Sequence, residues 1–377
     1  LKRILLRVLK YLGIALLTIT LLIILFFNFH PTFGGSPSES SMEVIRASKN
    51  YDGEKFVNLV ETKLETGDPE NRKSVMDFIG GMLNPPKGKV PADKLPSVKF
   101  LPTQLTENSF VWMGHSTILM NLDGIKILTD PVFHNASPIP GTVTPFEMEH
   151  GTYMDDLPDK IDVVIISHDH YDHLDYKAIE KLADKVETFL VPLGLKAHLE
   201  RWGVDETKIQ EKDWKQSVKY RTLEFTMTPA RHFSGRGLFN RYSTLWCSWV
   251  IKSSKLSVFF NGDSGYFDEF KEIGKQYGPF DIAFIENGAY DEDWSEIHMM
   301  PEESVQANID LQSKLMFPIH WGKFDLANHT WDDPIIRTSK ETELKNVSIA
   351  TPLIGQVFTL DNIPHTKWWE LMGKSKK

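Results

Sequence analysis

The stretch VVIISHDHYDHLD, Val163 to Asp175, sets three histidines and three aspartates into eight residues directly behind a run of Val and Ile. A short β-branched run that stops at a polar cluster reads as a buried strand delivering a loop. Imidazole nitrogen and carboxylate oxygen are ligands for zinc and similar divalent ions. His168, His170, Asp172 and His173 are therefore candidate metal ligands. A solvated helix start accounts for any one of them but not for the four together. Asp169 and Tyr171 stand between candidates as spacers whose side chains point elsewhere, and Asp175 reads as a helix cap.

Further along the chain, three more apolar runs finish in the same way. His232 follows LEFTMTP, Asp263 ends LSVFFNGD, and His320 ends LMFPIH. Taken alone, His232 and His320 read better as core histidines. If the four strands share an edge, all seven side chains converge, in loops of the kind that carry chemistry on a rigid scaffold. Seven ligands exceed one tetrahedral zinc and suit two ions, with a carboxylate bridging them and a water between.

From about Leu101 short apolar runs recur between turns, from SFVWMG and STILMNL to IAFIENG and LMFPIHWG. Asp123-Gly124 between two of them is a hairpin signal. Helical patterns are expected at 175–186, 194–203, 267–278 and 300–313. Strands first, then strands alternating with helices, predict an α/β (α+β) chain of sheets flanked by helices.

Tyr11 to Phe29 contains no charged residue and would span about 28 Å as a helix, close to the thickness of a bilayer core. Lys2, Arg3, Arg7 and Lys10 precede it, and no Lys or Arg follows until Arg46. This bias predicts an N-terminal transmembrane helix with the N-terminus in the cytoplasm and the rest of the chain outside, an anchored arrangement of bacterial type. FFNFHP offers no small-residue cleavage site, which favours an uncleaved anchor over a signal peptide. Residues 30–45 read as a Gly/Ser/Pro linker, and 46–100 as a small helical, polar lead-in.

The net charge of −9 argues against nucleic acid as a partner. The single cysteine, Cys247, excludes an internal disulfide and reads as a packed apolar residue.

HDHYDH matches the H-x-H-x-D-H motif of the metallo-β-lactamase superfamily. With GHST, LTDPVF, PARHFSGRGLFNRYSTLWCSW, NGDSGYFDEFKEIGKQYGPFDIAFIENGAY, PEESVQ and IHWGKFDLAN, the chain resembles the N-acylphosphatidylethanolamine-hydrolysing phospholipase D family over roughly residues 100–345. The resemblance implies an αββα sandwich with a two-zinc site at one edge. His168, His170 and His232 would bind one zinc, Asp172, His173 and His320 the other, and Asp263 would bridge. Asp130 would orient ligand histidines, unless it is only a turn residue before Pro131. His298 would face the substrate phosphate, unless it serves the start of a helix; Ile297 stands where the animal enzymes have Gln. The N-terminal hundred residues do not match that family.

The function so implied is a zinc-dependent phosphodiesterase acting on a phospholipid at a bilayer surface, with Asp172 also orienting the attacking hydroxide. Phe233, Phe239 and Trp321 are candidates for an acyl groove or for the core. A lactonase or other ester hydrolase of the same fold is the rival enzyme, and a metal-binding surface protein the non-enzyme rival. The expected division is anchor 1–30, linker and lead-in 31–100, hydrolase domain 101–362 and tail 363–377.

Overall fold

The computed structural model describes residues 2–67, 87–139 and 141–372. Two mixed sheets pack face to face. The first contains β1 (Ser109–Trp112), β2 (Ile118–Leu122), β3 (Ile125–Thr129), β4 (Ile161–Ile165), β5 (Val186–Pro192) and β6 (Ile209–Lys212). The second contains β7 (Ser217–Tyr220), β8 (Leu223–Thr228), β9 (Ser248–Lys252), β10 (Ser257–Phe260), β11 (Ile282–Glu286) and β12 (Met316–Ile319). The chain then returns to the first sheet with β13 (Val357–Thr359), giving the orders β13-β1-β2-β3-β4-β5-β6 and β12-β11-β10-β9-β8-β7.

Alternation along the strands makes the layers. In the second sheet Trp249, Ile251, Val258 and Phe260 face the first sheet. Their neighbours Val250 and Phe259 turn outward onto Phe270, Ile273, Val305 and Leu311 of helices Glu269–Tyr277 and Pro301–Asp310. On the other side Ala178, Ile179 and Leu182 of the helix Tyr176–Leu182 join the main core. The result is the helix–sheet–sheet–helix sandwich that the resemblance implies. Asp123 (φ 53°) and Gly124 (φ 81°) both take the left-handed conformation that a two-residue hairpin between β2 and β3 requires.

Differences lie at the margins. Glu39–Ala47, which crosses from the expected linker into the lead-in, is a helix capped by Ser38, whereas the described parts of 48–100 are mostly irregular. Residues 68–86 of that lead-in fall outside the described residues. The lead-in wraps the domain: Phe56, Leu95 and Phe100 are fully buried in the main core. The segment expected as a tail also joins the core, because Trp368 stacks on Trp321 at 5.3 Å and Trp369 meets Trp321 edge-on. Residues 373–377 lie outside the described part.

Lys2–Phe29 is one helix of 28 residues, long and apolar enough to cross a membrane, with none of its residues buried. Its end is fixed to the domain. Arg201 donates to Phe29 O at 3.0 Å, Trp202 Nε1 to Pro31 O at 2.8 Å, and Arg236 Nε to Thr32 O at 2.9 Å.

Candidate metal centre

Four loops meet where strands of both sheets end. One follows β4 and carries His168 to His173; the others follow β8, β10 and β12 and carry His232, Asp263 and His320. The seven expected side chains are brought together in two groups. His168 Nε2 lies 2.9 Å from His170 Nδ1, which is 3.2 Å from His232 Nε2; His168 and His232 stand 3.7 and 3.8 Å from Asp263 Oδ2. In the second group Asp172 Oδ2 lies 3.2 Å from His320 Nε2 and 3.5 Å from His173 Nε2. Asp263 reaches both groups, with Oδ1 at 3.1 Å from His173 Nε2 and Oδ2 at 3.1 Å from His320 Nε2.

Nearly every imidazole is fixed from behind. His168 Nδ1 donates to Ser167 Oγ at 2.9 Å, whose own proton goes to Asp130 at 2.6 Å. His173 Nδ1 donates to Asp130 Oδ2 at 2.7 Å. His232 Nδ1 donates to Ile297 O at 2.9 Å and His320 Nδ1 to Gly288 O at 3.1 Å. Each of these bonds commits one nitrogen as donor and leaves the other, as a lone pair, facing the cluster. Asp130 is fully buried and does more than turn the chain before Pro131: it orients His173 directly and His168 through Ser167. Gly288 is required by the approach behind His320, since a Cβ there would come within 2.1 Å of His320 O.

The electrostatics call for a cation. His173 Nε2 and Asp263 Oδ1 are buried with no hydrogen-bond partner among the described residues. Inward-facing lone pairs this close are costly unless a positive ion sits between them. The donors divide accordingly. His168, His170, His232 and Asp263 form one set with ligand atoms within 4.8 Å of one another, and His115, Asp172, His173 and His320 form another. The donor chemistry, all imidazole and carboxylate, fits zinc or a similar divalent ion.

Two residues of the site were not singled out in the sequence. His115, in GHST, donates from Nε2 to Asp172 Oδ2 at 2.9 Å and packs its ring, tilted by 41°, against His320 with centroids 4.1 Å apart. Glu286, the last residue of β11, is fully buried and accepts from His298 Nδ1 at 3.2 Å and from Met299 N at 2.9 Å. His298 is thereby turned towards the cluster, its ring 5.0 Å from His232 and 5.3 Å from His320. It does not cap the following helix, which starts at Pro301 behind Met300, whose N–H is held by Glu303 at 2.9 Å.

The remaining assignments separate cleanly. Asp175 caps its helix, Oδ1 accepting from Lys177 N at 3.0 Å and Ala178 N at 3.3 Å. Asp169 turns away to Gly235 N at 2.7 Å, and the Tyr171 hydroxyl to Arg236 O. Phe233 packs edge-on against His170 at 4.4 Å, at the mouth of the site. Trp321 is buried, stacked between Trp112 and Trp368. Phe239 is in neither the core nor the site, being 97% exposed. Cys247 is buried and packs as an apolar residue.

Comparison with known proteins agrees with this geometry. The beta-lactamase superfamily domain profile matches residues 126–321. An uncharacterised protein of Mycobacterium tuberculosis is 37% identical over 90% of this chain and 92% of its own. An N-acyl-phosphatidylethanolamine-hydrolyzing phospholipase D of Caenorhabditis elegans is 31% identical over 66% of this chain and 74% of its own. Among solved structures, a metallo hydrolase of Ignicoccus hospitalis superposes with a TM-score of 0.50 at 22% identity, covering 66% of this chain and 97% of that one.

Proposed function

This chain belongs to the beta-lactamase superfamily, as a metallo-hydrolase related to the N-acyl-phosphatidylethanolamine-hydrolyzing phospholipases D, and from that premise we propose that it is a membrane-anchored two-zinc phosphodiesterase cleaving N-acylphosphatidylethanolamine-like phospholipids. The observation that carries the reading is the convergence of two donor sets on the shared carboxylate of Asp263. His168, His170 and His232 would hold one ion, Asp172, His173 and His320 the second, and Asp263 both.

Bound there, a pair of divalent cations supplies Lewis acidity and makes water a nucleophile at neutral pH. The protein's own groups then set the geometry. Asp172, its Oδ2 held by His115, keeps Oδ1 to accept a proton from the attacking water and so aim it at phosphorus. His298, fixed through Nδ1 by Glu286, has Nε2 left to donate to a phosphoryl oxygen as negative charge grows. Water adds to phosphorus, the P–O bond to the N-acylethanolamine breaks, and the alcohol leaves with the proton the water gave up. Phe233 at the mouth offers apolar contact to an acyl chain. The helix Lys2–Phe29 would keep the site at a bilayer, with Lys2, Arg3, Arg7 and Lys10 retained in the cytoplasm and the domain outside it.

Ile297 is buried and offers the substrate no polar side chain, so the test includes other esters. Purified protein should carry close to two zinc ions per chain. It should cleave N-acylphosphatidylethanolamine in vesicles and lose that activity to a chelator. Metal-free protein that remains active, or hydrolysis of lactones with none of diesters, overturns the reading.

A further inference from the structure

The loop Gly235–Tyr242 follows His232 and ends in an apolar tip, with Leu238 64% and Phe239 97% exposed. Among the described residues nothing covers this Phe or the Leu beside it, and such a pair marks a surface that meets something apolar. Three observations say what that is. The same loop holds the end of the N-terminal apolar helix, because Arg236 donates to Thr32 O at 2.9 Å and lies 5.2 Å over the ring of Trp202, which itself donates to Pro31 O at 2.8 Å. A second exposed apolar pair, Leu59 and Val60, runs beside it: Asn58 bonds both the N–H and the carbonyl of His232, and Phe56 N donates to Tyr242 O at 3.0 Å. Exposed cations, Lys55 over the Tyr242 ring and Arg241 over the Phe233 ring, flank the tip and suit lipid phosphates.

We propose that Leu238 and Phe239, with Leu59 and Val60 beside them, form a second membrane contact that enters the interfacial layer of the bilayer and turns the mouth at Phe233 and His170 towards lipid. The inference rests on reading Lys2–Phe29 as a membrane anchor. The anchor makes the second contact intramolecular, so a small apolar tip is sufficient.

The test uses the full chain reconstituted into phosphatidylcholine–phosphatidylglycerol vesicles. Cys247 is buried, so an introduced cysteine can be labelled selectively with an environment-sensitive fluorophore. A label at Phe239→Cys should be quenched severalfold more strongly by acyl-chain nitroxide lipids than one at Lys255→Cys. Lys255 lies in the turn before β10, whose other end leads to Asp263, and is therefore at the far edge of the molecule. A label at Leu17→Cys reports on the anchor separately. Strong quenching at position 17 with none above the Lys255→Cys level at 239 overturns the proposal alone. No quenching at 17 overturns the anchor reading and the proposal with it. A blue shift at 239 without lipid quenching means that a second copy of the chain covers the tip, which also overturns it.

Discussion

His115 and His320 both hold left-handed backbones, φ 54° and 67°, an uncommon conformation for histidine. They are locked by each other: His115 N donates to Trp321 O and His320 N to His115 O, each at 3.1 Å. Strain of this kind persists where neighbours over-determine it, commonly at functional sites. Since His115 Nε2 spends its proton on Asp172, its role in the proposed reaction is to position that carboxylate. His115→Leu should keep zinc content near wild type and lower kcat by about tenfold to a hundredfold, the usual cost of losing a group that orients a ligand. His115→Gln, which restores an N–H at similar reach, should recover part of it; loss of one zinc from His115→Leu would instead make His115 a ligand. The seven candidate ligands were legible because four crowd one loop and the others end apolar runs. His115 and Glu286 were not, since each is a lone polar residue whose partner is remote in sequence.

At the level of elements, ten apolar runs were legible and became β1 to β5 and β8 to β12. The three strands missed, β6 (IQEK), β7 (SVKY) and β13 (VFT), are all sheet edges. These three edges are short and mostly exposed or half-buried, so hydrophobic periodicity does not reveal them, whereas the fourth edge, β12, is buried and apolar. The helix Asp333–Lys345 was missed for a related reason: its contacts to the neighbouring helix include the Arg337–Glu302 ion pair rather than an apolar stripe alone. By contrast Asp175 was legible as a cap, and it holds more than its helix. Its Oδ2 also accepts from Phe133 N at 3.1 Å and His134 N at 3.0 Å. Asp175→Ala should therefore lower unfolding stability by about 2 kcal/mol, the upper end for a lost cap, in urea titrations. A change under a few tenths of that would show that the cap bonds are dispensable.

Across the whole molecule, buried Lys323 ties the sheets together. Its Nζ donates to Met113 O at 3.0 Å after β1 and to Val132 O at 2.6 Å after β3, while its own backbone follows β12. Burial pushes its pKa down from 10.5 to about 7, so the folded chain sheds a proton that the unfolded chain keeps. Between those values the unfolded state binds more protons, and stability rises with pH by about 1.4 kcal/mol per unit; it is lost as pH falls through the folded value. The stability difference between wild type and Lys323→Met should widen in favour of wild type from neutral pH to pH about 9, and a flat difference would remove the assignment.

The two donor sets have a mechanical consequence. His168, His170, Asp172 and His173 belong to one sheet, and His232, Asp263 and His320 to the other. Any cation held between them is a rivet across the seam. Prying the sheets apart would then mean pulling against metal–ligand bonds, and a half-assembled sandwich would offer only part of each donor set. Full loading would thus read out assembly, since both donor sets are complete only once the two halves of the chain have found each other in register.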